Sequence, residues 1–340
     1  GTISRTRAPG PRRREASTPP RYETRRTRAS PDPVVIRLAR GEMADAPPNA
    51  PRHPLLLPLL VGVGALIAGA LIAAWAGSGL HHIADASEAQ IRTERLPIIG
   101  IITGSAIAVG GVIFALLWYT HRVLGRAHTP HRGLAIGVGI ASGTVALLLA
   151  PVVEKAAAAL PGFFGGAQGT GIISSFAEEA LKLLVPVLLL LFVSVFRDPI
   201  VGFWTAVVSA AWFGVIEGVG YVATAAISTI KGTDGASTDA IVLGIDVVVR
   251  SWADTIHPLT TGGAAIVIWL ASRTLPAARA WLVGIGAYLI ASVLHALNDG
   301  VLGFYITNGL FSGLAILALG IVIFFVWYRP QVRRLRDAAE

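Results

Sequence analysis

Long unbroken apolar runs constrain this chain more than any other feature. Most have the roughly 20 residues with which a helix crosses about 30 Å of hydrocarbon. Hydrocarbon cannot hydrogen-bond to the backbone, so runs of this length favour helices. We therefore predict an all-α fold, a polytopic membrane helix bundle with about eight transmembrane helices, at residues 55–76, 98–119, 133–153, 172–196, 200–222, 240–272, 281–303 and 308–328. The sixth run is too long for a simple span and is expected to tilt, protrude or begin outside the hydrocarbon.

Composition excludes several classes of function. The chain is 54% hydrophobic and 14% charged, which is too apolar for an ordinary soluble domain. It has no cysteine, so disulfides and thiolate chemistry are excluded. The net charge of +8 does not indicate nucleic acid, because twelve of the 28 basic residues fall in the first 52 positions and the others flank apolar runs. The lipid bilayer is the expected surroundings of this protein.

The chain divides into four predicted parts. Residues 1–52 are a basic, Pro/Arg-rich arm expected to be disordered. Because the only methionine is Met43, residues 1–42 are either an extension that is not native or a genuine basic cytoplasmic tail. Residues 53–171 hold three apolar runs with almost no ionisable residue inside them. Residues 172–303 form a polar four-helix core, and residues 304–340 hold the last span and a basic tail.

Loop charges predict the orientation. With eight spans and both termini in the cytoplasm, ten basic residues lie on the inner side and four on the outer side, in agreement with the positive-inside rule. The inner residues are Arg122, Arg126, Arg132, Arg197, Arg273, Arg279, Arg329, Arg333, Arg334 and Arg336, and the outer ones are Arg92, Arg95, Lys155 and Lys231.

Ionisable residues inside the apolar runs are candidates for function, since each costs at least about 2.5 to 3.5 kcal/mol at the centre of a membrane helix. The fourth run contains Glu178, Glu179 and Lys182, of which Glu178 and Lys182 can pair along one helix face. The alternative is a solvated helix end. The fifth run contains Glu217, which by itself can equally be interfacial.

The sixth and seventh runs add histidines. In the sixth, spacings of 4, 4, 3 and 4 predict one helical stripe, in which the first three residues can form a salt-bridge ladder: Asp246, Arg250, Asp254, His257 and Thr261. In the seventh, one turn separates the histidine from the acid of His295-Ala296-Leu297-Asn298-Asp299, so the carboxylate can orient the imidazole.

The predicted topology puts these groups at one depth. Counting about 1.5 Å per residue places five of them about 6 to 12 Å below the outer surface: Glu178, Glu179, Glu217, His295 and Asp299. His257 joins this layer if the sixth helix enters the hydrocarbon near residue 249. Acidic and imidazole groups around one hydrated pocket are suited to hydrolysis, with a carboxylate as general base and histidines sharing the proton transfers.

A metal site is the alternative chemistry. Glu178, His257 and His295 are also possible zinc ligands, although no H-E-x-x-H pair lies on one helix. We predict no cofactor, with zinc as the open alternative. A proton-coupled transporter also uses buried acids and histidines, but such proteins are built from related halves, and here the polar residues fall only in the second half.

Four motifs on successive runs together resemble the PrsW family of glutamic-type intramembrane proteases, distant relatives of the CAAX prenyl endopeptidases. They are Glu178-Glu179-x-x-Lys182, Phe213-x-x-x-Glu217, His257 and His295-x-x-x-Asp299, within residues 172–303. The family usually has Phe four residues before its third-motif His, where this chain has Ala253.

The resemblance implies roles for these residues. Glu178 would activate water with His257, Glu179 would support it, and His295 with Asp299 would complete the site. Supporting positions are expected at Lys182, Glu217, Asp254, Arg250 and Asn298. The resemblance further implies a bacterial inner-membrane enzyme that clips a membrane-anchored protein substrate, such as an anti-sigma factor, on the extracytoplasmic side.

Overall fold

The computed structural model describes residues 55–79, 87–124, 131–231, 240–302 and 309–340. In these ranges the regular structure is helical and contains no strand, which confirms the predicted all-α class. The predicted arm at 1–52 lies outside the described residues. The α-helices are α1 Leu56–Gly77, α2 Glu88–Thr93, α3 Arg95–Leu124, α4 Arg132–Ala158, α5 Ala167–Phe192, α6 Pro199–Lys231, α7 Ala240–Ala253, α8 Ile256–Thr274, α9 Ala277–Ala296, α10 Gly309–Val322 and α11 Arg329–Ala339.

Two kinds of tighter or wider helix connect these elements. Short 3₁₀ segments lie at Gly162–Gly165 and Ser194–Arg197. Wider π-helical turns continue α9 over Leu297–Leu302 and join α10 to α11 over Ile323–Tyr328. Single π-helical turns often occur at functional sites, and the first of these follows His295 directly.

Among the described residues, six helical segments are long and apolar enough to cross a membrane, so the predicted count of about eight is not confirmed. They are Leu56–Gly77, Arg95–Leu124, Arg132–Ala158, Pro199–Ser228, Ala277–Asp299 and Gly313–Ala339. They match six of the eight predicted runs and make the chain a multi-pass membrane protein. The fourth predicted run forms α5, in which Glu178, Glu179 and Lys182 interrupt the apolar sequence.

The prediction of one continuous helix over 240–272 is wrong. The chain turns at Asp254 and Thr255, between α7 and α8. Pro258 explains the break, because it lacks the amide N–H that would otherwise bond to the carbonyl of Asp254 one turn earlier. The predicted stripe is therefore divided between two helices, and the excess length of the sixth run is taken up by α7.

Helix α6 is the central helix of the bundle. In the most apolar 18-residue stretch of its spanning segment 83% of the residues are buried, against 22% to 44% in the corresponding stretches of the other five. Its start is fixed locally, because Asp198 Oδ1 accepts hydrogen bonds from the amides of Ile200 and Val201, while Pro199 occupies the first turn. Helices α3, α4, α5 and α8 all contact α6.

Small residues let the helices approach closely. A side chain at Gly69 of α1 would meet backbone atoms of α3, and one at Gly139 of α4 would lie 2.8 Å from the carbonyl oxygen of Thr205 in α6. Ser142 and Ser209 hydrogen-bond across the α4–α6 contact at 3.0 Å. Such contacts replace the hydrophobic effect that is missing between helices in lipid. Helix α4 also packs against α5, so the three N-terminal spans are continuous with the polar core.

Candidate active site

Helix α5 brings two carboxylates and one ammonium into the bundle. The exposed fractions of Glu178, Glu179 and Lys182 are 4%, 0% and 0%. Lys182 Nζ lies 2.8 Å from Glu179 Oε1 and 3.8 Å from Glu178 Oε2, so its closer ion pair is with Glu179 and not with the predicted partner Glu178. The alternative of a solvated helix end is wrong for these three residues, because all are buried.

Glu179 is held from three directions. Besides Lys182, Thr261 donates its hydroxyl to Oε2 at 2.7 Å and the Thr260 hydroxyl lies 3.2 Å from Oε1. A buried carboxylate with all its partners in place is fixed in orientation. Thr260 was not among the predicted site residues, although its position beside Thr261 on α8 is a signal that sequence inspection could have used.

His257 lies in the first turn of α8, between a lysine and a glutamate. Its Nδ1 is 2.7 Å from Lys182 Nζ and its Nε2 is 2.7 Å from Glu217 Oε2. Phe213 of α6 packs against the ring at a centroid distance of 5.2 Å. Gly214 is required beside it, because a Cβ there would lie 2.8 Å from His257 Cδ2. Glu217 therefore lies inside the helix bundle and contacts His257.

His295, at the end of α9, is fully buried and is held by Asp299. Its Nε2 lies 2.9 Å from Asp299 Oδ2, and Asn298 donates to Asp299 Oδ1 at 2.6 Å. The rings of His295 and His257 are perpendicular, with centroids 4.7 Å apart. The side chain of Asp299 is 38% exposed and that of Glu217 is 14% exposed, so both histidines contact carboxylates that are only partly buried.

Glu178, His257 and His295 come together from three helices. One nitrogen or oxygen atom from each lies within 4.8 Å of the others. Zinc ligands at bond lengths of about 2.0 to 2.2 Å lie about 3.4 Å apart, so small side-chain shifts would bring these atoms to a common metal. A second group that shares His257 consists of Glu217, Asp254 and His257.

The donor atoms fit a metal by their chemistry and orientation. In both histidines Nε2 faces a carboxylate, which is the usual arrangement when the other ring nitrogen binds a metal. Buried atoms without a hydrogen-bond partner among the described residues include Glu178 Oε2 and His295 Nδ1; the latter lies 3.1 Å from Glu179 Oε1 without hydrogen-bond geometry. One obstacle is Lys182, whose ammonium contacts His257 Nδ1 and would have to move aside.

Of the predicted ladder on the sixth run, the Arg250–Asp254 pair does not form, and the Asp246–Arg250 pair stays a prediction because it involves a side chain outside the described part. Asp254 is 3% exposed at the α7–α8 break, and its Oδ2 has no hydrogen-bond partner within the described ranges. Arg250 instead lies over the ring of Tyr221, 4.3 Å from its centroid. The side chain of Asp246 is outside the described part. Gly218 makes room for Asp254, because a Cβ there would overlap its carboxylate.

These features define a class of protein: a polytopic membrane protein with a buried Glu/His cluster suited to hydrolysis. Comparison with known families makes the class specific. The family model for PrsW family intramembrane metalloproteases matches residues 127–328, more than half of the chain and all of the cluster. The chain belongs to this family, and it is an intramembrane protease. No curated protein and no solved structure matches it.

Membership confirms the family resemblance that the four motifs predicted. The family is one of intramembrane metalloproteases, so the expected glutamic class is not confirmed and the zinc alternative stays open.

Proposed function

We propose that this protein is an endopeptidase that hydrolyses membrane-anchored proteins at a centre formed by Glu178, His257 and His295. The observation that carries the proposal is the convergence of these three buried side chains from three different helices. Burying them apart from one another would cost each helix several kcal/mol with no compensating contact.

We further propose that the three side chains hold a divalent metal, with zinc the best match to two imidazoles and a carboxylate. When bound, such a metal polarises the peptide carbonyl and lowers the pKa of water. The balance of charge among the described residues supports it, because the cluster holds five carboxylates and only the first two of them form an ion pair with the ammonium of Lys182: Glu178, Glu179, Glu217, Asp254 and Asp299.

The other side chains position the centre. Glu217 and Asp299 accept hydrogen bonds from Nε2 of His257 and His295, which leaves the lone pair of each Nδ1 for a metal; Nδ1 of His295 has no hydrogen-bond partner among the described residues, whereas Nδ1 of His257 becomes available only when Lys182 moves aside. Glu179, held by Lys182 and Thr261, keeps α5 and α8 in register beside the centre. Since Asp299 is partly exposed, it can also pass protons between His295 and water.

A metal-free mechanism is the second candidate, and the contact between Lys182 Nζ and His257 Nδ1 favours it. There the ammonium already balances part of the negative charge, and Glu178 accepts the proton of water through Oε2. In both mechanisms we place cleavage near the extracytoplasmic face of a bacterial inner membrane, as the loop charges predict. A membrane-anchored anti-sigma factor is the substrate we propose.

The experiment uses purified full-length protein in liposomes with a tagged single-span substrate. Glu178→Gln removes the charge and keeps the shape, and we expect cleavage to fall at least about 10³-fold. Glu88→Gln, on the exposed first turn of α2, is the matched control and should cleave at the wild-type rate. If Glu178→Gln cleaves as fast as this control, the assigned centre is wrong.

Chelation separates the two mechanisms. We expect 1,10-phenanthroline to abolish cleavage, added zinc to restore it, and Glu178→Gln to lower the zinc content of the purified protein. Full activity after exhaustive chelation would overturn the metal proposal and leave the glutamate mechanism in its place.

A further inference from the structure

A groove on the outside of the bundle combines apolar walls with two arginines at one end. It lies between α5, α8 and α9, and its volume is about 740 Å³. Its walls include Leu184, Leu188 and Ile285, and its arginines are Arg197 and Arg273. We call it the Arg197–Arg273 groove. We propose that it is a binding site for an anionic phospholipid, a function beyond the proposed proteolysis.

The two arginines lie at the same end of the groove. Arg197 ends the 3₁₀ segment after α5, and Arg273 lies in the last turn of α8. Both line the groove together with Ala277 and Ala280 at the start of α9. The loop charges predict that this end faces the cytoplasm, where basic pockets between membrane helices bind anionic headgroups.

Neither arginine is neutralised within the described residues. Arg197 donates to the carbonyl oxygen of Leu191 at 3.1 Å, which leaves its charge uncompensated. The adjacent Asp198 directs Oδ1 to the amides at the start of α6. Arg273 has no ion pair or hydrogen bond from its side chain in the described ranges. Two unpaired guanidinium groups over an apolar groove complement a phosphate with an attached acyl chain.

The groove has the dimensions of an acyl-chain site. From Ala180 to Leu191 it follows α5 for about 16 Å at 1.5 Å per residue. Its volume lies within the range of about 300 to 1,000 Å³ typical of small-molecule sites. Because two arginines at one end complement a phosphate, the charge of the groove favours a lipid over an apolar transmembrane segment.

The test measures lipid retention by the full-length protein. Nanodiscs with equal phosphatidylglycerol and phosphatidylcholine are dissolved in mild detergent, and bound lipid is counted by native mass spectrometry. We expect wild type to retain phosphatidylglycerol selectively. Arg197→Gln and Arg273→Gln should each lower retention about fivefold, and the double variant about 30-fold. Arg279→Gln is the matched control, because Arg279 lies on the same predicted side but does not line the groove.

A second variant tests the apolar part without changing charge. Gly284 lines the groove, and a Cβ there would make an ordinary contact, 3.6 Å from Ile268 Cγ1. Gly284→Leu should therefore fold, fill the groove and abolish retention. Equal retention of both lipids by wild type, or wild-type retention by the double variant, would overturn the proposal. So would a photo-crosslinker at position 281 that captures the span of the tagged substrate and no lipid.

Discussion

Replacing Thr261 by valine removes one hydroxyl from the site and almost no volume. That hydroxyl donates to Glu179 Oε2 at 2.7 Å, and both side chains are 0% exposed. A hydrogen bond to a charged group is worth about 1.5 to 3 kcal/mol in soluble proteins. Bonds between membrane helices average about 0.6 and reach about 1.7 kcal/mol. For a buried charge the upper part of the membrane range applies, so we expect Thr261→Val to cost about 1 to 2 kcal/mol.

Thr260→Val, at the residue directly before Thr261, is the matched control. The Oγ1 atom of Thr260 is 2.8 Å from the carbonyl oxygen of Ile256 and 3.2 Å from Glu179 Oε1. Since the hydroxyl has one proton, it bonds mainly within its own helix. Its loss should cost about 0.6 kcal/mol or less. At about 2 to 4 °C per kcal/mol, Thr261→Val should unfold about 2 to 8 °C below wild type and Thr260→Val within about 2 °C.

The measurement is reversible unfolding of the purified protein in mixed micelles, together with the cleavage rate. Because Glu179 positions the centre, we also expect Thr261→Val to slow cleavage about tenfold or more. A double-mutant cycle with Glu179→Gln should show a coupling energy of about 1 kcal/mol between the two side chains. Equal costs for the two threonine variants, or a coupling near zero, would refute the reasoning.

Three further predictions concern the site and its frame. Asp299→Asn weakens the hydrogen bond that orients His295, so zinc affinity and the cleavage rate should each fall about 10- to 100-fold. The surface change Asp337→Asn should leave both unchanged. If the two variants have the same zinc affinity and cleavage rate, the role of Asp299 is contradicted. Gly69→Ala pushes α1 away from α3 and should lower the free energy of unfolding by about 1 to 3 kcal/mol. A Cβ at Gly64 meets nothing within 4 Å, so Gly64→Ala should leave this free energy unchanged. Trp269→Phe loses a 2.6 Å hydrogen bond to a buried carbonyl and should lower the free energy of unfolding by about 1 kcal/mol; unchanged stability would show that water replaces the indole.

The positions of the polar residues in the sequence were sufficient to predict which side chains of the proposed centre lie in one cluster. Each acidic or imidazole residue in an apolar run needs a polar partner, and only the other runs of the second half offer one. Glu178, His257 and His295 were predicted as one cluster on this basis, and the structure places them together. Their catalytic roles stay predictions until Glu178→Gln is assayed.

The partners within the cluster could not be predicted from spacing along one helix. Spacing allowed Lys182 to pair with either Glu178 or Glu179 on its own helix, but only the approach of α8 brings His257 Nδ1 within 2.7 Å of its ammonium. Spacing likewise allowed Arg250 to pair with Asp254. The break before α8 and the approach of α6 place its guanidinium over Tyr221 instead. Local periodicity describes one helix, whereas these contacts depend on the relative rotation of two.

The sequence by itself determined the membrane environment, the helical class and the location of the polar cluster. These follow from the free energy of placing backbone and charged groups in hydrocarbon, which depends on composition along the chain. Only the tertiary structure decided which atoms of the cluster face one another, and that α6 is the central helix. It also decided that a groove with two unpaired arginines forms on the outer side of α5, α8 and α9. Such features depend on how close two helices approach and on their relative rotation, and small residues far apart in the sequence set both.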